Sequence, residues 1–347
     1  MSAEKKLDRY GRWIPSGVSA RTVDHAELPV IDFAPMFGSD PEAKKQMAQE
    51  LKQACMGVGF FHLANHGVPQ SLIDRTFART AEFFALPLAD KMTADATQAP
   101  GYPGFYPMKE AVGGVARAMQ EGFNMNFALP PDDPHMVKGL PLHDRNLWPE
   151  KPAGFREDMQ AYFDAMRALS RRMFGAFALA LDLPEDYFDA LTTKPITLMR
   201  VNHYAAQPDA VDDEQIGGKP HTDFECFTIL AQQKDIVALQ VATGAGYDEW
   251  ISVPPIPGTF VVNIGDQMTR WTNDMFASTM HRVVNSNKVD RTSIAFFAGT
   301  DYDAEMAVLP TCVPAGEAPK YAPIKSGEYV LGRVNNAYEG ALAKKTA

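Results

Sequence analysis

The chain has 347 residues, of which 46% are apolar and 22% charged, a makeup that excludes a disordered protein and suits one large domain or two small ones. Lys and Arg number 33 against 43 Asp and Glu, a formal charge of −10, which argues against nucleic acid or an anionic membrane as partner because both need a basic footprint. Three scattered cysteines, Cys55, Cys226 and Cys312, exclude a disulfide framework or Cys-rich zinc site and fit a reducing cytoplasm.

Residues 1–27 read as an N-terminal extension, and their opening, "MSAEKKLDRYGRW", lacks the apolar core of a signal peptide. "LPVIDFAPMF" (28–37) predicts a short strand and a Pro-containing turn. Met47, Leu51 and Cys55 recur every four residues, which predicts an amphipathic helix over 41–56. "GFFHLANHGVP" (59–69) is a strand running into an Asn-His-Gly turn, and 71–86 is a second helix stopped before Pro87. Residues 98–125 are rich in Gly, Pro and aromatics and read as a long irregular loop entering a strand. Its Tyr102, Phe105, Tyr106 and Phe123 are candidate walls of a substrate pocket, with ordinary loop packing as the competing reading.

From Phe155 to Phe177 apolar residues step by three and four, the seam of a helix of about 27 residues. After Pro184 the texture changes to seven short segments punctuated by Gly and Pro, from "TLMRVNHYA" (197–205) to "RTSIAFFAG" (291–299). That spacing predicts a sandwich or barrel of jelly-roll type. The expected organisation is a helix and strand region over 28–150, a long helix plus β core over 151–300, and a tail over 301–347 packed on that core. No stretch is long and apolar enough to suggest a membrane span.

The chemistry sits on the strands. In "KPHTDFECFTIL" (219–230), His221 and Asp223 stand at i and i+2, which on one strand points both to the same face. His281, in "STMHRVVN", lies on another predicted strand that an antiparallel pairing could bring alongside. Two imidazoles and one carboxylate with open positions form the facial triad of non-haem iron(II) oxygenases. Arg291 and Ser293 share a face of an otherwise apolar strand, where a guanidinium is costly unless an anion meets it. A carboxylate is the natural partner of that fork. Asn202 and Tyr204 repeat the spacing in "LMRVNHYA".

The order Asn-x-Tyr, His-x-Asp, His, Arg-x-Ser resembles the isopenicillin N synthase-like branch of the iron(II)/2-oxoglutarate-dependent oxygenases. "LPVIDFAPM" and "GFFHLANHGVP" are similar to that branch's N-terminal region, and "GTFVVNIGDQMTRWTND…STMHRVV" to its C-terminal core, so the likeness covers about residues 28–330. The resemblance implies a mainly β fold with flanking helices around a double-stranded β-helix, the distorted jelly roll. It assigns His221, Asp223 and His281 to Fe(II), Arg291 and Ser293 with Tyr204 to the distal carboxylate of 2-oxoglutarate, and Asn202 to its C1 carboxylate. The implied reaction consumes O2 and 2-oxoglutarate and hydroxylates, desaturates or cyclises a small organic substrate, such as a natural-product intermediate. It implies a reading of Asp266, in "NIGDQM", as a turn residue between strands.

One departure concerns Glu225, where many relatives have Gly. Strand parity puts it on the ligand face, lining the substrate site, while a solvated strand-end Glu is the competing reading. Three alternatives stand beside the main one: an iron oxidase of the same fold that works without 2-oxoglutarate, a zinc hydrolase using the same donors, and a non-catalytic jelly-roll binding protein.

Overall fold

In the computed structural model, which describes residues 6–7, 13–14, 19–22, 28–99, 103–108, 120–206, 217–243, 249–285 and 288–343 (side chains from 19 to 335), the periods of the sequence become one layer of helix and two of sheet. Asp40 caps α1 (Pro41–Met56): its Oδ1 accepts hydrogen bonds from the N–H groups of Glu42 and Ala43, and Pro41 sits where no N–H is needed. α3 (Phe155–Ala180) packs against both α1 and α2 (Gln70–Phe84). Arg75 and Arg79 of α2 both donate to Asp158 in the first turn of α3, at 2.9 and 2.8 Å, pinning the start of the long helix to its neighbour. The apolar seam of α3, from Phe155 through Met166 to Phe177, is buried along its length, as the spacing predicts.

The strands are β1 (Val30–Asp32), β2 (Phe60–Ala64), β3 (Gly104–Tyr106), β4 (Gln120–Asn126), β5 (Leu198–Tyr204), β6 (Gly218–His221), β7 (Phe227–Gln232), β8 (Leu239–Thr243), β9 (Glu249–Ser252), β10 (Thr259–Ile264), β11 (His281–Val283) and β12 (Arg291–Ala298). An eight-stranded sheet runs in the order β1-β2-β10-β7-β12-β5-β4-β3. A smaller sheet runs from Arg21–Thr22 through β9, β8 and β11 to β6. Four antiparallel strands of each (β10, β7, β12, β5 and β9, β8, β11, β6) make the double-stranded β-helix expected from the sequence.

The larger core lies between the helices and the outer face of the large sheet. There Phe174 packs on Phe227 at 5.0 Å and Phe163 on Phe296 at 5.3 Å between ring centres. A smaller core, with Phe60, Leu239, Val241, Ile251, Val253 and Val261, fills one part of the space between the sheets. The rest of that space holds the polar residues described below.

Two local expectations change. Residues 219–230 are not one strand: β6 ends at His221, β7 starts at Phe227, and 222–226 cross from one sheet to the other. The carbonyls of Asp223, Glu225 and Cys226 accept from the N–H groups of Asp266, Gln267 and Gly265, so their hydrogen bonds go to the start of α4 (Asp266–Trp271) and not to a ladder. Asp266 itself therefore opens a helix instead of joining two strands. The C-terminal tail forms α5 (Ser326–Ala343). No helix among the described residues is long and apolar enough to cross a membrane.

Candidate active site

His221 and His281 face each other across β6 and β11, paired directly in register, with ring centres 4.3 Å apart. Asp223 reaches between them from the crossover: its Oδ1 lies 3.6 Å from Nε2 of His221 and 3.5 Å from Nε2 of His281. Among the described residues this is a cluster of the size a metal ion needs, its donor atoms all within 4.8 Å of one another. Ligand bonds of about 2.1 Å put neighbouring donors roughly 3.0–3.4 Å apart, so the three need move little to share one ion.

The surrounding chain orients each donor outward to that point. Nδ1 of His221 faces the Lys219 carbonyl at 2.7 Å, and Nδ1 of His281 faces the Thr279 carbonyl at 3.2 Å. A proton on each Nδ1 leaves each Nε2 as a lone pair. Phe60 packs edge-on against His281 at 5.4 Å. On Asp223 it is Oδ2 that the protein occupies, with hydrogen bonds from Thr228 Oγ1 and, at 2.7 Å, from Asn263 Nδ2. Burial works against the Asp223 charge, yet the His281 and His221 rings and these two donors hold its carboxyl below the usual range. Burial and then the His281 ring push His221 down to about 4, keeping it neutral. The His221 side chain keeps 45% of its surface exposed, against 9% for His281.

On the large sheet, Arg291 is paired across the ladder with Tyr204, and Ser293 with Asn202. The four side chains that sequence parity singled out thus form one inner patch. Arg291 is 1% exposed and its guanidinium lies 5.0 Å from the centre of the Tyr204 ring. Its Nε and Nη1 have no hydrogen-bond partner among the described residues. A guanidinium buried with two donors unmatched is strongly unfavourable unless an anion completes it.

Asn202 accepts from Tyr106 Oη at 3.0 Å and from Gln120 Nε2. The Tyr106 ring reaches it by lying over Gly122, its cross-strand partner: a Cβ there would come 2.1 Å from the Tyr106 hydroxyl. Of the expected pocket walls, then, Tyr106 faces the inside. Phe105 and Phe123 do not. They are 0% and 1% exposed and pack with Phe83 of α2 at 5.8 and 5.6 Å, because alternation along β3 and β4 turns them to the helix layer. Tyr102 lies outside the described residues.

Glu225 is half-buried in the crossover, where strand parity does not apply. Its carboxylate lies within electrostatic reach of Asp223, Arg200 and Asp266, and among the described residues no side chain donates to it. Burial, then the Asp223 charge, raises it to about 7. Arg200, unremarked in the sequence, stands on the inner face of β5; it donates to Asn124 Oδ1 at 3.0 Å and lies 5.4 Å from the Tyr106 ring. Its i, i+2, i+4 spacing with Asn202 and Tyr204 was a signal for it. Gln120, Thr228 and Asn263 carried none, being ordinary polar residues until the sheets close.

Two family models match the chain: the non-haem dioxygenase in morphine synthesis N-terminal model over residues 28–151, and the 2OG-Fe(II) oxygenase superfamily model over 195–300. Among curated proteins, the 2-oxoglutarate-Fe(II) type oxidoreductase hxnY of Emericella nidulans is 35% identical, covering 91% of this chain and 92% of its own. A homoarginine-6-hydroxylase of Oryza sativa is 34% identical, covering 90% and 97%. Among solved structures, a full-length Neurospora crassa protein in complex with alpha-KG matches with a TM-score of 0.81 and 28% identity over 92% of this chain and 100% of that one. The complex of the same Neurospora protein with alpha-KG and thymine matches at 0.77 and 25% identity over 96% and 100%. The chain belongs to the 2OG-Fe(II) oxygenase superfamily, in its isopenicillin N synthase-like family: it is a dioxygenase that uses Fe(II), 2-oxoglutarate and O2 to oxidise a small organic molecule.

Proposed function

We propose that His221, Asp223 and His281 hold the iron, that Arg291 and Ser293 with the Tyr204 hydroxyl grip the distal carboxylate of 2-oxoglutarate, and that Asn202 lies by its C1 carboxylate. The observation that carries this reading is the coincidence of three outward-turned donor atoms with a buried guanidinium that has two unmatched donor nitrogens. Bound iron and 2-oxoglutarate would supply the oxidising power, O2 splitting the latter to succinate and carbon dioxide as a substrate C–H bond is oxidised. The chain does the rest. The carbonyls of Lys219 and Thr279 fix the imidazole tautomers, Thr228 and Asn263 aim the Asp223 carboxylate, and Arg291 balances the charge of the cosubstrate.

The substrate side is bounded by Glu225, Arg200, Asn124 and Tyr106. A carboxylate with no side-chain donor beside a guanidinium suits a small nitrogen-bearing substrate that brings an N–H or cationic group to Glu225 and an acceptor or flat face to Arg200. The homoarginine and thymine in the names of two relatives both carry nitrogen donors and oxygen acceptors, in keeping with this class. Three buried, unpaired cysteines support a cytoplasmic location.

The test is an anaerobic titration of the metal-free protein with iron(II) and then 2-oxoglutarate, followed in the visible spectrum. A metal-to-ligand charge-transfer band should appear, and be absent in His221→Ala. Iron bound without the band would remove 2-oxoglutarate chelation from the reading. No iron binding would sink it.

A further inference from the structure

Asp266 lies outside the metal cluster and the 2-oxoglutarate patch, yet its side chain ties both ligand-bearing segments together. Its Oδ2 accepts from Thr222 Oγ1 at 3.2 Å, and Thr222 stands between His221 and Asp223. Its Oδ1 accepts from Ser278 Oγ at 2.7 Å, one residue before the carbonyl that orients His281. Its backbone N–H donates to the Asp223 carbonyl at 2.9 Å. Gly265 permits this approach, since a Cβ there would come 2.1 Å from the Glu225 carbonyl oxygen.

The fourth partner comes from the C-terminal helix. Arg333 of α5 pairs with Asp266, its Nη2 donates to Thr222 Oγ1 at 3.3 Å, and its guanidinium lies 4.9 Å from the Phe224 ring. Both side chains of the pair are largely buried, at 14% and 11% exposure. Every contact of Arg333 named here falls on the crossover that carries Asp223 or on the residue that anchors it.

We propose that Asp266 and Arg333 form a positioning clamp that fixes His221, Asp223 and His281 relative to one another and makes the docking of α5 part of the metal site. The clamp rests on the assignment of those three residues as iron ligands. It acts through the backbone beside the ligands and touches neither metal nor substrate. Groups behind metal ligands typically change metal affinity about 10–100-fold when lost.

The experiment compares anaerobic iron(II) affinity, the 2-oxoglutarate charge-transfer band and the thermal midpoint in wild type, Asp266→Asn, Arg333→Ala and Arg333→Lys. Lys325→Ala, which breaks the exposed pair with Asp303 just before the same helix, is the control. The base of α5 is held separately by Gln267 Nε2 donating to Ser326 Oγ at 2.7 Å, so Arg333→Ala opens the clamp without freeing the helix. Asp266→Asn should weaken iron binding about 10–100-fold and shift the band. Arg333→Ala should weaken it several-fold, Arg333→Lys less, and Lys325→Ala not at all. If Asp266→Asn fails to fold, the Arg333 pair decides. Wild-type iron affinity and band in the Arg333 variants, whatever their thermal midpoints, would overturn the clamp, as would an equal loss in Lys325→Ala. Absence of iron binding in wild type would instead remove the ligand assignment, and the clamp with it.

Discussion

The two faces of the large sheet bury polar side chains in opposite ways. On the helix face, Lys91 donates to both Glu121 oxygens at 3.0 and 2.8 Å and to the Phe84 carbonyl at 3.2 Å. His203 meets Glu121 at 3.0 Å and Asp290 at 3.4 Å while stacking on Phe84. Each charge there is answered by another from the chain. On the inner face Arg291 keeps two unmatched donor nitrogens, and beyond that sheet His221 and His281 of the smaller sheet and Asp223 of the crossover turn a donor atom toward a common point. Lys91 and Glu121 on one side and Asp223, His281 and Arg291 on the other are all buried, so burial does not separate structure from function. What separates them is whether the chain completes its own hydrogen bonds.

Substitutions can break that comparison. The largest effect is expected on the helix face, where Lys91→Ala leaves Glu121 buried with less to balance it. Thermal or denaturant unfolding should show a loss of about 3–5 kcal/mol, with 2-oxoglutarate half-saturation unchanged. Arg291→Ala should do the reverse. The 2-oxoglutarate requirement should rise roughly 10- to 100-fold, for a charge-assisted contact of about 1.5–3 kcal/mol, while apo stability holds or increases because an incompletely paired buried charge is gone. Unchanged 2-oxoglutarate affinity would take Arg291 out of that role.

A pH series sharpens the contrast. Burial opposes the Glu121 charge, but His203 and Lys91 hold its carboxyl below the ordinary carboxylate value. A depressed acid stabilises the fold above its unfolded pKa, about 4.3, and that stabilisation is lost as pH falls through the folded value. Glu121→Gln should therefore destabilise the protein at neutral pH and flatten the acid limb of its stability curve. An acid limb as steep as wild type would place the titration elsewhere. The smallest effect belongs to Tyr106→Phe, which removes the hydroxyl that donates to Asn202. A lost hydrogen bond of about 1 kcal/mol should raise the 2-oxoglutarate requirement roughly fivefold. No change would mean that Asn202 is held well enough by Gln120.

Much of this was legible in one dimension. The seam of α3 follows from steps of three and four, and the inner patch from polar residues at i and i+2, because both periods are properties of the local backbone. Asn202, Tyr204, Arg291 and Ser293 needed only parity, and the ladder then set them opposite one another. The same rule failed where the strand was not one. Asp223 and Glu225 lie in a crossover whose carbonyls bond to α4, so their directions come from residues some forty positions away. Phe105 and Phe123 looked like pocket walls because an aromatic loop does not declare which face of a sheet it will join. Asp266 looked like a turn residue because its partners, Thr222, Ser278 and Arg333, are spread from one end of the catalytic region to the C-terminal helix. The sequence by itself determined the helix seam, the sheet-rich core and which polar residues share a strand face, since each depends on neighbours within a few residues. Only the tertiary structure decided which of those faces enclose the site and which residues hold it in place, because hydrogen bonds between distant segments exist only once the two sheets have closed.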